Sequence, residues 1–238
     1  MKLDLLIFAA HPDDAELGCS GTILKYVAEG KKVGIVDLTR GELGTRGTAE
    51  TRDQEAAEAS KILGIQVREN LGMKDGFFQN DEKHQLQIIE MIRKYQPEIV
   101  LCNALEDRHP DHGRAAELLN DATFLSGLPK IETRHNKEVQ QAWRPRLLLN
   151  YIQDRYIKPD VIIDITPFWD QKVKAILAFK TQFFNPDSGE PETYISSPEF
   201  LKGVEARARA FGKSIHTTYA EGFTSKKLLG VSSLFELK

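Results

Sequence analysis

Short apolar runs alternate along the chain with longer stretches in which apolar residues recur every three or four positions. Residues 3–8 (LDLLIF) read as a buried strand. From 16 to 29, Leu17, Ile23, Leu24, Val27 and Ala28 fall at helical spacing, and Gly30 supplies the stop. Residues 32–39 (KVGIVDLT) read as strand again. A strand–helix–strand unit of about 30 residues predicts parallel pairing with a right-handed crossover.

The alternation continues with an Ala- and Glu-rich helix over 50–63 stopped by Gly64, a weaker strand over 65–71, a helix over 86–95 halted before Pro97, a buried strand over 99–103 and a helix over 114–125. Further on, 147–152 and 161–165 read as strands and 169–179 and 199–211 as helices, while 185–198, with three prolines, reads as a loop. No repeat, low-complexity tract or linker interrupts the pattern. It predicts one domain over 1–238, an α/β fold with a Rossmann-like, open, mostly parallel sheet and helices on both faces.

Polar clusters follow the strand ends, which is where open α/β sheets bind ligands. The stretch His11-Pro12-Asp13-Asp14-Ala15-Glu16 directly follows the first strand. Pro12 suits the first turn of a helix, and the three carboxylates suit its positive end. Glu106-Asp107-Arg108-His109-Pro110-Asp111-His112 follows the strand over 99–103. Two further loops, 40–48 with Arg40, Glu42 and Arg46, and 72–81 with Asp75, lie just past strands.

His11, Asp14 and His112 suit a divalent metal held by three protein ligands with a fourth position open. Asp13, Asp111 and His109 are then left over, and such groups suit proton transfer and oxyanion stabilisation. Taken singly, Asp13 and Asp14 are ordinary helix caps and His109 to His112 an ordinary solvated loop. Two ligand-rich clusters at two strand ends favour the metal reading. Glu16 either supports a ligand or caps the turn.

Composition narrows the classes. Apolar residues make up 41% and charged residues 28%, with a formal net charge of −3, so nothing draws the chain to nucleic acid or an anionic membrane surface. Cys19 and Cys102 cannot build a disulfide framework, which points to a reduced, cytoplasmic setting. The apolar N-terminal stretch is too short for a signal peptide, and no apolar run approaches the ~20 residues of a membrane span.

His11-Pro12-Asp13-Asp14 together with His109-Pro110-Asp111-His112 resembles the paired motif of the LmbE-like (PIG-L) family of zinc-dependent N-acetylglucosaminyl deacetylases. Arg40-Gly41-Glu42, Gly44-Thr45-Arg46-Gly47, Arg52 with Glu55, Leu71-Gly72 with Asp75 and, more loosely, Glu221-Gly222-Phe223 extend the resemblance. Length, loop sequence and ending are most similar to the bacillithiol-pathway branch, which deacetylates N-acetylglucosaminyl-malate. The resemblance implies one Zn2+ per subunit on His11, Asp14 and His112, a set that Fe2+ also satisfies. It implies Asp13 as general base, and His109 as the group that stabilises the oxyanion and aids amine departure. Asp111 would be the carboxylate partner of His109, favouring its charged form. Arg52 and Asp75 fall where the family contacts the sugar, although composition alone makes one a solvated helix residue and the other a turn residue.

Homo-oligomers, including hexamers, are implied as well. Arg46 and Arg108, on loops at the same sheet edge, suit bidentate pairing with a carboxylate of a small anionic aglycone. His84, His135 and His216 read as structural, and Tyr194 as reaching a substrate or a neighbouring subunit. Three rivals stand beside this reading. One is a deacetylase of another N-acetylated sugar, such as a chitooligosaccharide, or of a small amide. Another is a non-catalytic sugar-binding or structural-zinc protein. The third is a dinucleotide-binding domain, suggested by Asp37 at the end of the second strand but opposed by a first turn that lacks the glycines a pyrophosphate needs.

Overall fold

A computed structural model describes residues 1–237. Its sheet has seven strands in the order β3-β2-β1-β4-β7-β9-β8. The first strands are β1 (Leu5–Ala9), β2 (Val33–Asp37), β3 (Val67–Asn70) and β4 (Ile99–Cys102). β5 (Arg134–His135) and β6 (Glu138–Val139) form a separate small hairpin, followed by β7 (Leu147–Tyr151), β8 (Val161–Asp164) and β9 (Ala220–Thr224). The strands from β3 to β7 pair in parallel, with Leu5 opposite Val33 on one side and Ile99 on the other, and β9 then runs antiparallel between β7 and β8. The expected α/β, mostly parallel architecture is thus the observed one.

Among the described residues, six α-helices complete the fold: α1 (Asp14–Ala28), α2 (Ala49–Leu63), α3 (Glu82–Tyr95), α4 (Pro110–Leu125), α5 (Trp169–Leu177) and α6 (Pro198–Ser214). Alternate residues of β1 feed opposite cores, as strand geometry requires. Leu6 and Phe8 pack with Ile88, Ile92, Leu118 and Leu119 of α3 and α4. Leu5 and Ile7 pack with Ala15, Ile23, Leu63 and Ala175 of α1, α2 and α5.

Helix starts lie upstream of the sequence expectation because capping residues extend them. Asp81 caps α3 by accepting from the His84 N–H at 3.0 Å, so the helix begins at Glu82 rather than 86. Pro110 starts α4 at the second polar cluster itself, not at 114, which seats His112 in its first turn. The strand β9 and the β5–β6 hairpin carry no sequence periodicity and lie outside the expected pattern.

Helix α1 is broken at Cys19, whose φ of −147° and ψ of 16° are non-helical. The chain is closely packed beside the break, where a Cβ on Gly18 would lie 2.2 Å from the Tyr151 ring. The groups freed by the break are taken up by one buried ion pair. Lys172 Nζ donates to the carbonyls of Glu16 (3.2 Å) and Leu17 (2.8 Å) and to Glu221 Oε1 (2.7 Å). Glu221 in turn accepts the backbone N–H groups of Gly21 and Thr22 at 2.9 and 2.7 Å.

Candidate metal and active site

Strand order reverses between β1 and β4, since β2 and β3 lie on one side of β1 and β4 on the other. That reversal opens a crevice at the carboxyl ends of β1 and β4. The first cluster leaves β1 into it and the second leaves β4 into it. His11, Asp13, Asp14, Asp111 and His112 are all buried there. The rings of His11, His109 and His112 meet with centroids 4.7, 5.7 and 5.4 Å apart.

Asp14 sits between the two imidazoles expected to be ligands. Its Oδ2 lies 3.4 Å from His11 Nδ1 and its Oδ1 lies 3.2 Å from His112 Nε2. Three further donors fix this carboxylate: the His11 N–H at 2.9 Å, Asn103 Nδ2 at 3.0 Å and Gln153 Nε2 at 2.5 Å. His112 is oriented from behind, with Nδ1 at 2.7 Å from Asp107 Oδ2, the carboxylate-backed histidine arrangement usual around metals. Asp107, Asn103 and Gln153 escape the sequence reading, although Asn103 and Gln153 lie just past strand ends, where the carboxyl-edge rule looks.

Asp13 precedes α1 with φ 123°, a conformation L-residues rarely adopt. Such backbone costs on the order of 1–3 kcal/mol and persists where the surroundings impose it. Arg52 imposes it, donating to Asp13 Oδ2 at 2.9 Å and to the Pro12 carbonyl. Arg52 lines the cleft, but its charge is committed to Asp13. Asp75 is also at the centre, with Oδ1 3.0 Å from His11 Nε2 and Oδ2 accepting the Leu43 N–H at 2.9 Å.

The expected carboxylate pairing of Asp111 with His109 does not form. Asp111 is captured by Arg114, one turn along α4, by the Gly76 N–H at 2.8 Å and by His11 Nε2 at 3.3 Å. It meets His109 only through its backbone, whose N–H donates to His109 Nδ1 at 3.3 Å. The expected rise in the His109 pKa is accordingly reversed: burial lowers it, and the neighbouring His11 and His112 lower it further, against a weaker opposing pull from Asp111. A neutral His109 accepting at Nδ1 carries its proton on Nε2.

Carboxylates outnumber cations here, and the pKa shifts follow. Burial disfavours the charged form of His11, but hydrogen bonds to Asp111, Asp14 and Asp75 outweigh it and hold the pKa well above the ordinary value. His112 likewise rises to about 9 through Asp14 and Asp107 despite burial. Asp14 is held well below its ordinary value because His112 and His11 overcome its burial. Asp13 is pushed up to about 7 by burial, with the Arg52 charge opposing. A buried cluster this short of positive charge, with nitrogen and oxygen donors facing one another, suits a divalent cation. The donor atoms of His11, His109 and His112, and those of His11, Asp75 and Asp111, each lie within 4.8 Å of one another.

Arg46 and Arg108 do not present free forks. Arg46 Nη2 donates to Ser188 Oγ at 2.6 Å and its Nε faces Glu190 at 3.5 Å, while Arg108 pairs with Asp154 at 3.3 Å and covers the Tyr194 ring at 4.5 Å. Both still line the cleft of about 500 Å3 above the cluster, as does Tyr194. Glu16 is resolved as a structural group, fully buried and bonded to Arg68 Nη1 at 2.6 Å. Asp37 is held by the same Arg68 through both oxygens, at 2.7 and 3.0 Å, so no carboxylate is left for a dinucleotide ribose. His84, His135 and His216 lie outside the cleft lining. Among the described residues, no helix is long and apolar enough to cross a membrane.

The family model of PIG-L, described as GlcNAc-PI de-N-acetylase, matches residues 6–123, and the chain belongs to this family. The conserved protein TT1542 from Thermus thermophilus is 37% identical and superposes with a TM-score of 0.86 over 97% of this chain and 98% of that one. Diacetylchitobiose deacetylase of Thermococcus kodakarensis is 28% identical over 92% of this chain and 81% of its own length. A 4-oxalmesaconate hydratase of Pseudomonas putida is 25% identical over 92% of this chain and 88% of its own length.

Proposed function

We propose that the chain hydrolyses the N-acetyl amide of an N-acetylglucosaminide, releasing acetate and a free amine. The observation that carries this reading is the pairing, at the β1/β4 crevice, of a three-donor set (His11, Asp14, His112) with a buried carboxylate, Asp13, that the set does not need. These three residues would hold one divalent ion, Zn2+ or Fe2+. Such an ion supplies Lewis-acid activation of water and polarisation of a carbonyl.

The rest is done by the chain. Asp13, clamped by Arg52, takes the proton of the attacking water. His109, with Nδ1 occupied by a backbone N–H, presents Nε2–H to the developing oxyanion and then to the departing amine. Asp75 faces the cleft beside His11, where a sugar hydroxyl finds an acceptor. The finer reading, N-acetylglucosaminyl-malate as substrate, draws support from the sequence resemblance. The reaction sits in a cytoplasmic setting with a small-molecule partner, and copies of the chain associate as homo-oligomers.

The Pseudomonas relative favours a second reading, hydration of an unsaturated tricarboxylic acid on the same residues. One experiment separates the two. Metal-loaded protein is assayed for free amine on several N-acetylglucosaminides and for loss of 4-oxalmesaconate absorbance. Amine release supports the deacetylase; absorbance loss without amine release overturns it.

A further inference from the structure

Across Tyr194, the cleft adjoins a second cavity of about 380 Å3, and the Tyr194 side chain lines both. One face of α6 forms its floor through Phe200, Gly203, Val204 and Arg207, which recur at helical spacing. Asp154 and Tyr156, on the loop after β7, form the facing wall.

Arg207 is the unusual group in this cavity. The buried arginines are held mainly by carboxylates and carbonyls, although the Nε of Arg46 and that of Arg52 have no hydrogen-bond partner. Arg52 is on Asp13, Arg68 is on Asp37 and Glu16, and Arg93 donates to the Ser126, Leu128 and Ile131 carbonyls and to Thr133 Oγ1. Arg207 has the same fork of donors, yet its hydrogen bonding among the described residues is one contact, Nη1 to the Asp154 carbonyl at 3.3 Å. No carboxylate pairs with it there. Burial lowers its pKa, so its surroundings offer the charge less than water would.

Asp154 ties this cavity to the reacting centre. Its carbonyl takes Arg207, its Oδ1 accepts the Tyr194 hydroxyl at 3.1 Å, and its Oδ2 pairs with Arg108. The preceding residue, Gln153, holds Asp14 at 2.5 Å. Consecutive Cα atoms are about 3.8 Å apart, so the Arg207 cavity lies immediately beside the cleft. Arg46 faces Glu190 and Arg108 pairs with Asp154, whereas Arg207 has no carboxylate within ion-pair distance among the described residues and one hydrogen bond, to a carbonyl.

We infer that this cavity is a second substrate subsite, in which Arg207 receives an anionic group, carboxylate or phosphate, carried on the substituent attached to the amino sugar. Two oxygens of a carboxylate or a phosphate match the guanidinium fork in two parallel hydrogen bonds. Tyr194 is the wall that the substituent passes, and Tyr156 and Phe200 supply apolar contact on either side. The identity of the sugar end rests on the deacetylase reading; the anion site does not.

The test uses metal-loaded wild type, Arg207→Gln and Arg207→Lys, with folding checked by thermal melting. Free-amine kinetics are measured on N-acetylglucosaminyl-malate, N-acetylglucosamine 1-phosphate and methyl N-acetylglucosaminide, and L-malate and inorganic phosphate are titrated calorimetrically into each protein. Arg207→Gln should lower kcat/KM on the anionic conjugates by about 10–100-fold, mostly through KM, with Arg207→Lys between it and wild type. The neutral glycoside should change by less than about twofold. The malate and phosphate arms show which anion is preferred. Equal losses on charged and neutral substrates, or no loss on either, overturn the subsite. So does anion binding that is absent in wild type or unchanged in Arg207→Gln. If wild type releases amine from none of the three conjugates, the deacetylase reading fails, and the titrations alone then decide the subsite.

Discussion

Replacing Arg52 with Met separates two roles for this residue, contact with the sugar and control of Asp13. Arg52 is 4% exposed and its Nη2 meets both Asp13 Oδ2, at 2.9 Å, and the Pro12 carbonyl. Asp13 is 5% exposed, so without Arg52 its carboxylate loses its cation in a place water barely reaches. Removing one partner of a buried pair costs about 3–5 kcal/mol. The orphaned carboxyl can take up a proton, which favours the lower end. At about 2–4 °C per kcal/mol for a chain of this size, the melting temperature should fall by roughly 6–12 °C.

Activity should fall with it, because a protonated or displaced Asp13 cannot accept a proton. The double variant Arg52→Met/Asp13→Asn removes the stranded charge and should recover much of the stability, with a coupling energy of about 2–3 kcal/mol, while kcat stays low. Urea unfolding gives the stabilities and free-amine release gives kcat and KM. If Arg52→Met loses under about 1 kcal/mol, raises KM and leaves kcat alone, Arg52 acts as a sugar contact and the clamp argument is wrong.

Other outcomes can be measured on the same preparations. His11→Ala, Asp14→Ala and His112→Ala should each strip the metal, read by elemental analysis; near-stoichiometric metal in His112→Ala would sink the ligand assignment. Asp13→Asn should keep its metal and lose about 100-fold or more in kcat, whereas near-normal turnover would mean that another group accepts the proton. Gly18→Ala forces a methyl into the Tyr151 ring and should cost about 1–3 kcal/mol in urea unfolding, with wild-type stability counting against that close packing. Burial raises both thiols, Cys102 to about 12, so neither should react with a thiol reagent at pH 8 until the protein unfolds. The same shift means the folded state holds these protons more tightly, so their contribution to stability is intact below the ordinary thiol pKa and is lost as pH climbs above it; rapid labelling of native protein would contradict it.

The parallel strands were legible because burial on both faces makes them continuous apolar runs, as in Leu5–Ala9 and Ile99–Cys102. The strand Ala220–Thr224 was not, because Glu221 and Gly222 break any such run, and their presence is explained only by contacts from far along the chain. The metal-type residues were legible for a local reason: each cluster sits within a few residues of a strand end, and strand order brings those two ends together. Partners were not legible. Arg46 reads as a free cation on a glycine loop until Ser188, 142 positions later, takes its guanidinium. The family resemblance implies Asp111 as the partner of His109, but Arg114, three residues on, faces it across one helical turn and wins.

The break in α1 connects the two ends of the chain to the same chemistry. Beside the break, Gly18 packs against the ring of Tyr151, which is itself pinned through its hydroxyl to the Phe8 carbonyl at 3.2 Å. Breaking at Cys19 turns the stretch that begins with Asp13 and Asp14 into a separate unit whose last carbonyls need donors and whose continuation needs acceptors. Lys172 supplies the donors and Glu221 the acceptors, and the two neutralise each other where neither reaches solvent. Gly222 is constrained beside them, since a Cβ there would lie 2.8 Å from the Phe211 ring. The Glu221-Gly222-Phe223 stretch, more than a hundred residues beyond the last cluster, is therefore part of what aims the first one: it holds the far end of the turn from which Asp13 and Asp14 project.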